Sequence, residues 1–316
     1  MAKRVRIYFA TDVHGSEKCF RKFLNGGRVY QPDVMILGGD VAGKAIQSIQ
    51  RAPGGRYAFS FRGVRYDLEE GEELERVEQL IADHGYYPRR SDPGELDALE
   101  REGALDALFL EMMRDRLARW MELADERLRP LGRPVYWMLG NDDPTELQPV
   151  LDGAPWGEAS EGHIAHIDGH EVVSLGYSNI TPFKSHRELT EDQIRDRLTE
   201  LAGRLDDPSS AVFNVHVPPF DSGLDEAPVV DESLQVQASI GQVRFQPVGS
   251  TAVRDVLMQV QPLVGLHGHI HESAGFRKLG RTLAVNPGSD YNMGALNGAI
   301  VTLDRDKVTS HQLVRG

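Results

Sequence analysis

Five short apolar runs constrain the fold of this chain more strongly than any other feature of its sequence. Each is rich in β-branched, aromatic or long aliphatic residues, and together they occupy residues 5–10, 33–37, 134–139, 211–215 and 263–266. Continuous apolar runs of this length are typical of strands buried on both faces of a sheet. Helical patterns lie between them, one of which opens with a capping box at Thr190. This alternation predicts an α/β fold with parallel strands.

Polar side chains that can bind metal ions follow each of these runs. In chain order they are Asp12 and His14, Asp40, Asn141 and Asp142, His216, and finally His267, His269 and His271. Because α/β sheets place their ligands at the carboxyl ends of strands, these side chains are expected to meet. Neutral imidazole and carboxylate oxygens suit divalent transition metals. A single acid such as Asp12 could instead cap the following helix, but the set as a whole favours a metal site.

The histidines at the end of the fifth run form the densest group. Alternate side chains of an extended chain face the same way, so His267, His269 and His271 would share one space. Gly268 would let the backbone approach a metal closely. Other polar groups are interpreted as structural. Asp143 precedes Pro144 and predicts a helix N-cap. Three more histidines flank the hairpin signal Asp168-Gly169 and are expected on the hairpin surface: His163, His166 and His170.

The composition is that of a globular protein with an acidic surface. The chain has 316 residues, a formal net charge of -13 and a single cysteine, Cys19, so no internal disulfide can form. No apolar run reaches the length of a membrane span, and the cytoplasm is the expected compartment. The negative charge opposes binding of long nucleic acids. It does not exclude a small phosphorylated substrate, because bound cations would reverse the sign of the charge inside a pocket.

Residues 67–130 interrupt the alternation of strands and helices. This segment carries much of the acidic charge and a long helical pattern at residues 104–129. It is predicted to be an acidic helical insertion that packs on its own core, caps the site or joins the subunits of a homo-oligomer. A hairpin is expected at residues 57–67 and a loop at residues 86–94. The first helix, from residue 16, is expected to close at Asn25-Gly26, and residues 220–249 are expected to form a lid.

The order of the strand-end residues resembles that of the calcineurin-like metallophosphoesterase superfamily. The matching blocks are Asp12-x-His14, Gly39-Asp40, Gly140-Asn141, His216 and Gly268-His269-x-His271, and Asn286-Pro287-Gly288-Ser289 fits the family's usual ending. The resemblance covers nearly the whole chain except the insertion and the long loop. It implies a single metallophosphoesterase domain over residues 1–316. The implied fold is a four-layer αββα sandwich, in which two mixed sheets are flanked by helices.

The same resemblance implies a site that holds two divalent transition-metal ions. Asp12, His14 and His271 would bind one ion, Asn141, His216 and His269 would bind the other, and Asp40 would bridge them. Mn²⁺ is the expected metal, with Fe, Zn²⁺ or Ni²⁺ as alternatives, because the ligands are nitrogen and oxygen without sulfur. The implied reaction is hydrolysis of a phosphate ester, in which a hydroxide that bridges the metals attacks phosphorus in line.

One position departs from the family pattern. The family often has histidine directly after the Gly-Asn pair, where it contacts the phosphate, and this chain has Asp142. An ionised Asp142 would repel the substrate, whereas a protonated one could donate a proton as a catalytic group. His267 could instead supply the proton or contact the phosphate, or it could lie in the core. The departure favours phosphodiesters, or esters with good leaving groups, over simple alkyl monoesters.

The leading hypothesis is a metal-dependent phosphodiesterase that acts on a small, nucleotide-like substrate. A nuclease is an alternative with the same chemistry, but the chain has no run rich in lysine and arginine. A second alternative is a non-catalytic, metal-containing binding or scaffold module that kept the fold. The seven intact ligand residues oppose this alternative, and the replacement at Asp142 favours it.

Overall fold

Two mixed β-sheets stacked face to face form the centre of the computed structural model, which describes residues 4–231, 235–239 and 242–316. Within these residues each sheet has six strands, of which four neighbouring strands are parallel. The first sheet contains, in spatial order, Lys307–Arg315, Asn297–Asp304, Val5–Ala10, Val34–Gly38, Val135–Met138 and Glu158–Ala159. The second contains Gly275–Leu279, Thr282–Asn286, Val264–Leu266, Val212–Val215, His170–Leu175 and Ile164–Ile167.

The alternation of side chains along each strand explains the stacking. In the first strand Phe9 lies in the apolar cluster between the two sheets, whereas Tyr8 packs against helices. In the second sheet Val212 faces the first sheet and Phe213 faces helices. Because both faces of these strands are covered, most positions are apolar, and the strands appear in the sequence as apolar runs. Asn214 is a buried exception whose side-chain amide donates to the hydroxyl of Ser174 at 3.2 Å.

Helices cover the outer face of each sheet and complete the layers. In the described part of the chain they are α1 (Glu17–Val29), α2 (Glu72–Asp83), α3 (Glu95–Arg101), α4 (Leu105–Leu128), α5 (Gln148–Asp152), α6 (Glu191–Ala202) and α7 (Thr251–Val260). Helices α1 and α4 pack on the first sheet, and α6 and α7 pack on the second. The predicted αββα sandwich is therefore confirmed. None of these helices combines the length and the apolar character needed to cross a membrane.

Helix α1 continues past Asn25-Gly26, where the sequence predicted its end. It begins after Ser16, whose hydroxyl accepts a hydrogen bond from the Cys19 N–H at 3.1 Å, and it runs to Val29. Gly26 serves packing, because a Cβ at this position would lie 2.2 Å from Cε1 of Tyr8. The predicted end was therefore wrong, since the glycine provides a close contact between α1 and the first strand.

A small sheet lies between the second and third strands of the first sheet in chain order. In spatial order it contains Val64–Glu69, Arg56–Phe61, Ile46–Ala52 and Tyr87–Ser91, and α2 packs on it. The predicted hairpin around Arg62-Gly63 is confirmed. The loop predicted at residues 86–94 was partly wrong, because a strand there pairs in parallel with its neighbour. Pro88 is tolerated in this strand because the strand lies at the sheet edge.

The hairpin predicted at Asp168-Gly169 is present. Its two turn residues have φ values of 37° and 90°, as a type I′ turn requires. His170 does not lie on the hairpin surface, because it is buried and its Nδ1 is 2.8 Å from the carbonyl oxygen of Ser210. The prediction of a surface histidine was therefore wrong at this position, where a partner from a distant loop covers the ring.

The predicted lid at residues 220–249 includes residues 232–234 and 240–241, which lie outside the described residues. The part that is described contains short strand pairs, among them Glu226–Pro228 with Phe245–Pro247.

Candidate metal centre

The structure brings the strand-end residues together where loops from both sheets meet. They form three overlapping groups of potential metal ligands, and in each group one atom per residue lies within 4.8 Å of the others. The groups are Asp12 with His14 and His271, Asp40 with His216 and His269, and His14 with Asp40 and Asp142. The first two groups combine residues that follow strands of the first sheet with residues that follow strands of the second sheet, and the third group follows strands of the first sheet alone.

Asp40 belongs to two of these groups. Its Oδ2 is 3.4 Å from Nε2 of His216 and 3.6 Å from Nε2 of His14. Oδ1 of Asp12 is 3.4 Å from Nε2 of His271 and 3.9 Å from Nε2 of both His14 and His216. Both carboxylates therefore face imidazoles from both sheets.

Three buried atoms of the candidate ligands have no hydrogen-bond partner among the residues that the structure describes, namely Nδ1 of His14, Oδ1 of Asn141 and Nε2 of His216. The Nδ1–H of His216 donates to the carbonyl oxygen of Gly38 at 2.9 Å, which turns Nε2 towards the cluster. The Asn141 amide nitrogen donates to Asp142 at 3.0 Å, which leaves Oδ1 free to accept. Because buried polar atoms are normally satisfied, this pattern fits a metal bound between the side chains of Asn141 and His216. The set of nitrogen and oxygen donors suits a divalent transition metal.

Burial and charge determine the protonation of the histidines. Burial lowers the pKa of His14 to about 3 and the pKa of His269 to about 4, so both rings are neutral near pH 7. Burial also opposes the charge of His216, but the carboxylates of Asp40 and Asp12 outweigh it and raise its pKa to about 10. Since the neutral imidazole is the ligand form, a cation bound at His216 would displace this proton.

Several ligand residues adopt backbone conformations that residues with a side chain rarely take. The φ angle is 54° at Asp12, 42° at His14, 50° at Asp40 and 65° at His269. Such conformations cost about 1–3 kcal/mol each and cluster at functional sites, where the surrounding structure enforces them. Gly268 allows a close approach, because a Cβ there would lie 2.3 Å from Oδ2 of Asp12.

Buried side chains hold the loops that carry the ligands. Asp143, predicted as an N-cap, instead accepts hydrogen bonds from the N–H groups of Val41, Ala42 and Gly140 at 2.9, 2.7 and 2.7 Å. Its role is structural, but it joins the loops after the second and third strands and caps no helix. Arg187 donates to the carbonyl oxygen of Gly140 at 3.2 Å from a further loop.

Arg116 of helix α4 supports the first ligand loop. Its guanidinium group donates to the carbonyl oxygens of Gly15 at 2.7 Å and Tyr86 at 3.0 Å. The guanidinium carbon lies 3.8 Å from the ring centre of Tyr87. Because Gly15 directly follows His14, helix α4 contacts the loop that presents a potential metal ligand.

Asp142 lies at the edge of the cluster and is fully hydrogen-bonded. One oxygen is 2.5 Å from Nζ of Lys44, and the other accepts from the Ser185 hydroxyl at 2.6 Å and from Asn141 at 3.0 Å. A side chain that accepts from three donors is a carboxylate. The contacts therefore oppose the expectation of a protonated Asp142 that donates a proton.

His267 belongs to none of the three groups. It is buried, and its Nδ1–H donates to the carbonyl oxygen of Val215 at 2.8 Å. Burial lowers its pKa to about 4. The expectation that three alternate histidines share one space is wrong for His267, because the strand ends at Leu266 and the extended alternation stops there. His267 therefore takes the core position that was the alternative to a catalytic role.

Three residues at the edge of the cluster were not anticipated from the sequence. Lys44 and Ser185 contact Asp142. The ring centre of Tyr291 is 4.6 Å from that of His14. Lys44 and Ser185 lie in loops and Tyr291 begins the short 3-10 helix Tyr291–Met293, and no local sequence pattern marks these three residues.

Comparisons with known proteins support the fold and leave the activity open. No family model matches the sequence. An uncharacterised protein of Methanocaldococcus jannaschii is 30% identical over 127 residues, which are 39% of this chain and 50% of that protein. This chain thus matches about half the length of its curated relative.

Solved structures match the chain over nearly its full length. The protein TT1561 of Thermus thermophilus is 15% identical over 99% of both chains with a TM-score of 0.56, so the two proteins share a fold. A structure described as a novel archaeal phosphodiesterase matches 98% of this chain and 99% of its own, with 10% identity and a TM-score of 0.34. Because this TM-score is low, the match says nothing about the activity of this chain.

Proposed function

We propose that this chain, which resembles the calcineurin-like metallophosphoesterases in fold and in the order of its site residues, is a metal-dependent phosphoesterase. The observation that carries the proposal is the convergence of three overlapping ligand groups, two of which share Asp40, with ligand atoms within 4.8 Å of one another in each group. Buried carboxylates and imidazoles that converge without enough protein partners are explained by cations.

The residues of the centre would hold two divalent cations, of which Mn²⁺ is the first candidate. Asp12, His14 and His271 would hold one cation, Asn141, His216 and His269 the other, and Asp40 would lie between them. When bound, the two cations offset the negative charge of a phosphate ester and make hydroxide available near neutral pH. The chain supplies neutral imidazoles and a shared carboxylate, and the backbone strain at the ligands is consistent with a centre formed before substrate binds.

The preferred substrate would be a small phosphodiester, such as a nucleotide-like ester, or another ester with a good leaving group. This preference is supported by what surrounds Asp142. The carboxylate accepts hydrogen bonds from every partner it has in the described structure. A proton donor for a poor alkoxide leaving group is therefore missing at the position where the family often has histidine.

An assay of the purified protein with Mn²⁺ or with chelator tests the proposal. The substrates are an aryl phosphodiester, an aryl phosphomonoester and an alkyl phosphomonoester. The expected result is turnover with Mn²⁺, no turnover with chelator, and the highest kcat/KM for the diester. The Asp40→Asn variant should lose at least about a hundredfold in kcat/KM, because the shared carboxylate would be gone.

His163→Gln is the matched control, since His163 is a partly exposed histidine in the loop that leads into the Ile164–Ile167 strand. It should retain wild-type activity. Metal bound to the wild-type protein without turnover of any ester would refute the enzymatic proposal and favour a non-catalytic module. Equal activity on the alkyl monoester and the aryl diester would refute the diester preference alone.

A further inference from the structure

Lys44 stands at the rim of the metal centre. Its Nζ lies 2.5 Å from Oδ2 of Asp142, and its side chain is 51% exposed whereas that of Asp142 is 21% exposed. Asp142 in turn forms a group with His14 and Asp40 in which potential ligand atoms lie within 4.8 Å of one another. The ammonium group is therefore separated from the centre by one carboxylate and lies on its solvent side.

The contacts of Asp142 leave Lys44 with free donors. Ser185 and Asn141 both donate to the second oxygen of Asp142, at 2.6 and 3.0 Å, so Lys44 shares the carboxylate with two other donors. An ammonium group has three N–H donors. Among the residues that the structure describes, Asp142 is the single hydrogen-bond or ion-pair partner of the Lys44 ammonium group. Its remaining N–H groups are open to a ligand at the rim.

We propose that Lys44 binds a non-bridging phosphate oxygen of the substrate and so takes the place of the histidine that the family often has at position 142. Asp142 would act as a positioning residue that holds the ammonium group at the rim. The inference rests on the proposed function, since it concerns how the same site holds a phosphate ester.

The local charges explain why such a residue is needed. An anionic ester that approached the centre would meet the carboxylate of Asp142, which alone would repel it. Paired with Lys44 the carboxylate carries no net local charge, and the ammonium group adds hydrogen-bond donors for an oxyanion. Lysine binds phosphate as a point charge and needs no fixed planar geometry. The two residues are 98 positions apart in the sequence, so the pair exists only in the folded chain.

The test measures phosphate binding as well as turnover, using Mn²⁺-loaded wild-type protein and the Lys44→Gln and Lys44→Arg variants. Calorimetric titration with inorganic phosphate should show a Kd about tenfold higher for Lys44→Gln, the size expected for one charged hydrogen bond. The KM for an aryl phosphodiester should rise by a similar factor, while kcat changes little. Lys44→Arg should recover much of both values, because it restores the charge.

The matched control is Lys307→Gln. Lys307 is an exposed lysine that begins the edge strand of the first sheet, at the sheet end opposite the metal centre. The phosphate affinity and the KM of the Lys307→Gln variant should equal those of the wild type. All four proteins should carry the same amount of Mn²⁺. Unchanged phosphate affinity in Lys44→Gln would overturn the inference, as would a loss of Mn²⁺ from that variant. If the wild type hydrolysed no ester but bound phosphate through Lys44, the proposed function would fail while this inference stood.

Discussion

Replacing Arg116 with methionine tests whether helix α4 holds the metal centre in shape. The arginine is 5% exposed, and it bonds the carbonyl oxygens of Gly15 and Tyr86 at 2.7 and 3.0 Å. Methionine has a similar length and no polar atom that could replace these bonds. The variant therefore removes two donors and the charge but keeps most of the apolar packing.

The size of the effect follows from three contributions. Each carbonyl oxygen left without a donor costs about 1–3 kcal/mol, and loss of the stacking of the guanidinium on Tyr87 costs up to about 2 kcal/mol. The third contribution has the opposite sign. Methionine carries no charge, so the free-energy cost of burying the guanidinium charge disappears, and this gain offsets part of the loss. Burial lowers the pKa of Arg116, which shows the direction of that penalty. The expected net loss is about 2–4 kcal/mol of unfolding free energy.

The assay is urea unfolding of the metal-free protein, followed by a competition measurement of Mn²⁺ affinity with a chromophoric chelator. Since Gly15 follows His14, the loosened loop should also weaken Mn²⁺ binding, by about tenfold to a hundredfold. The matched control is Arg119→Met on the exposed side of the same helix, which should change stability by less than about 0.5 kcal/mol. An Arg116→Met protein with wild-type unfolding midpoint and Mn²⁺ affinity would refute the reasoning.

Three further predictions concern the centre itself. Gly268→Ala places a Cβ 2.3 Å from Oδ2 of Asp12, so unfolding free energy should fall by about 1–3 kcal/mol, with weaker Mn²⁺ binding in titrations. Asp40→Asn should bind fewer Mn²⁺ ions per chain than the wild type by elemental analysis; an unchanged metal content would argue against a bridging role. Chelation should lower the melting temperature in calorimetry, since an ion at about 100 times its Kd adds about 2.7 kcal/mol of stability.

The positions of the site residues along the chain could be read from the sequence because local patterns mark them. Each apolar run predicts a buried strand, and a polar residue that follows such a run must lie at the strand's carboxyl end. His216 shows how far this reasoning extends. One histidine after one run is ambiguous, and the stacking of the two sheets is what brings Nε2 of His216 to 3.4 Å from Oδ2 of Asp40.

Other features could not be predicted because they depend on contacts between distant parts of the chain. Gly26 has the sequence pattern of a helix end, and only the nearby ring of Tyr8 shows that it is a packing contact. His170 has a typical hairpin position, but a loop 40 residues away buries it. Lys44 and Arg116 contact the site from loops and helices whose local sequence carries no signal of that contact.

The division of the ligands between the two sheets has a mechanical consequence. An ion held by Asp12, His14 and His271 would join a loop of one sheet to a loop of the other, and so would an ion held by Asp40, His216 and His269. Bound cations would then act as cross-links between the two halves of the sandwich. Without them the interior between the sheets would still be apolar, but the end that carries the ligand loops would open more often. Amide hydrogens near that end should exchange with solvent faster when metal is scarce, while those at the opposite end keep their rates.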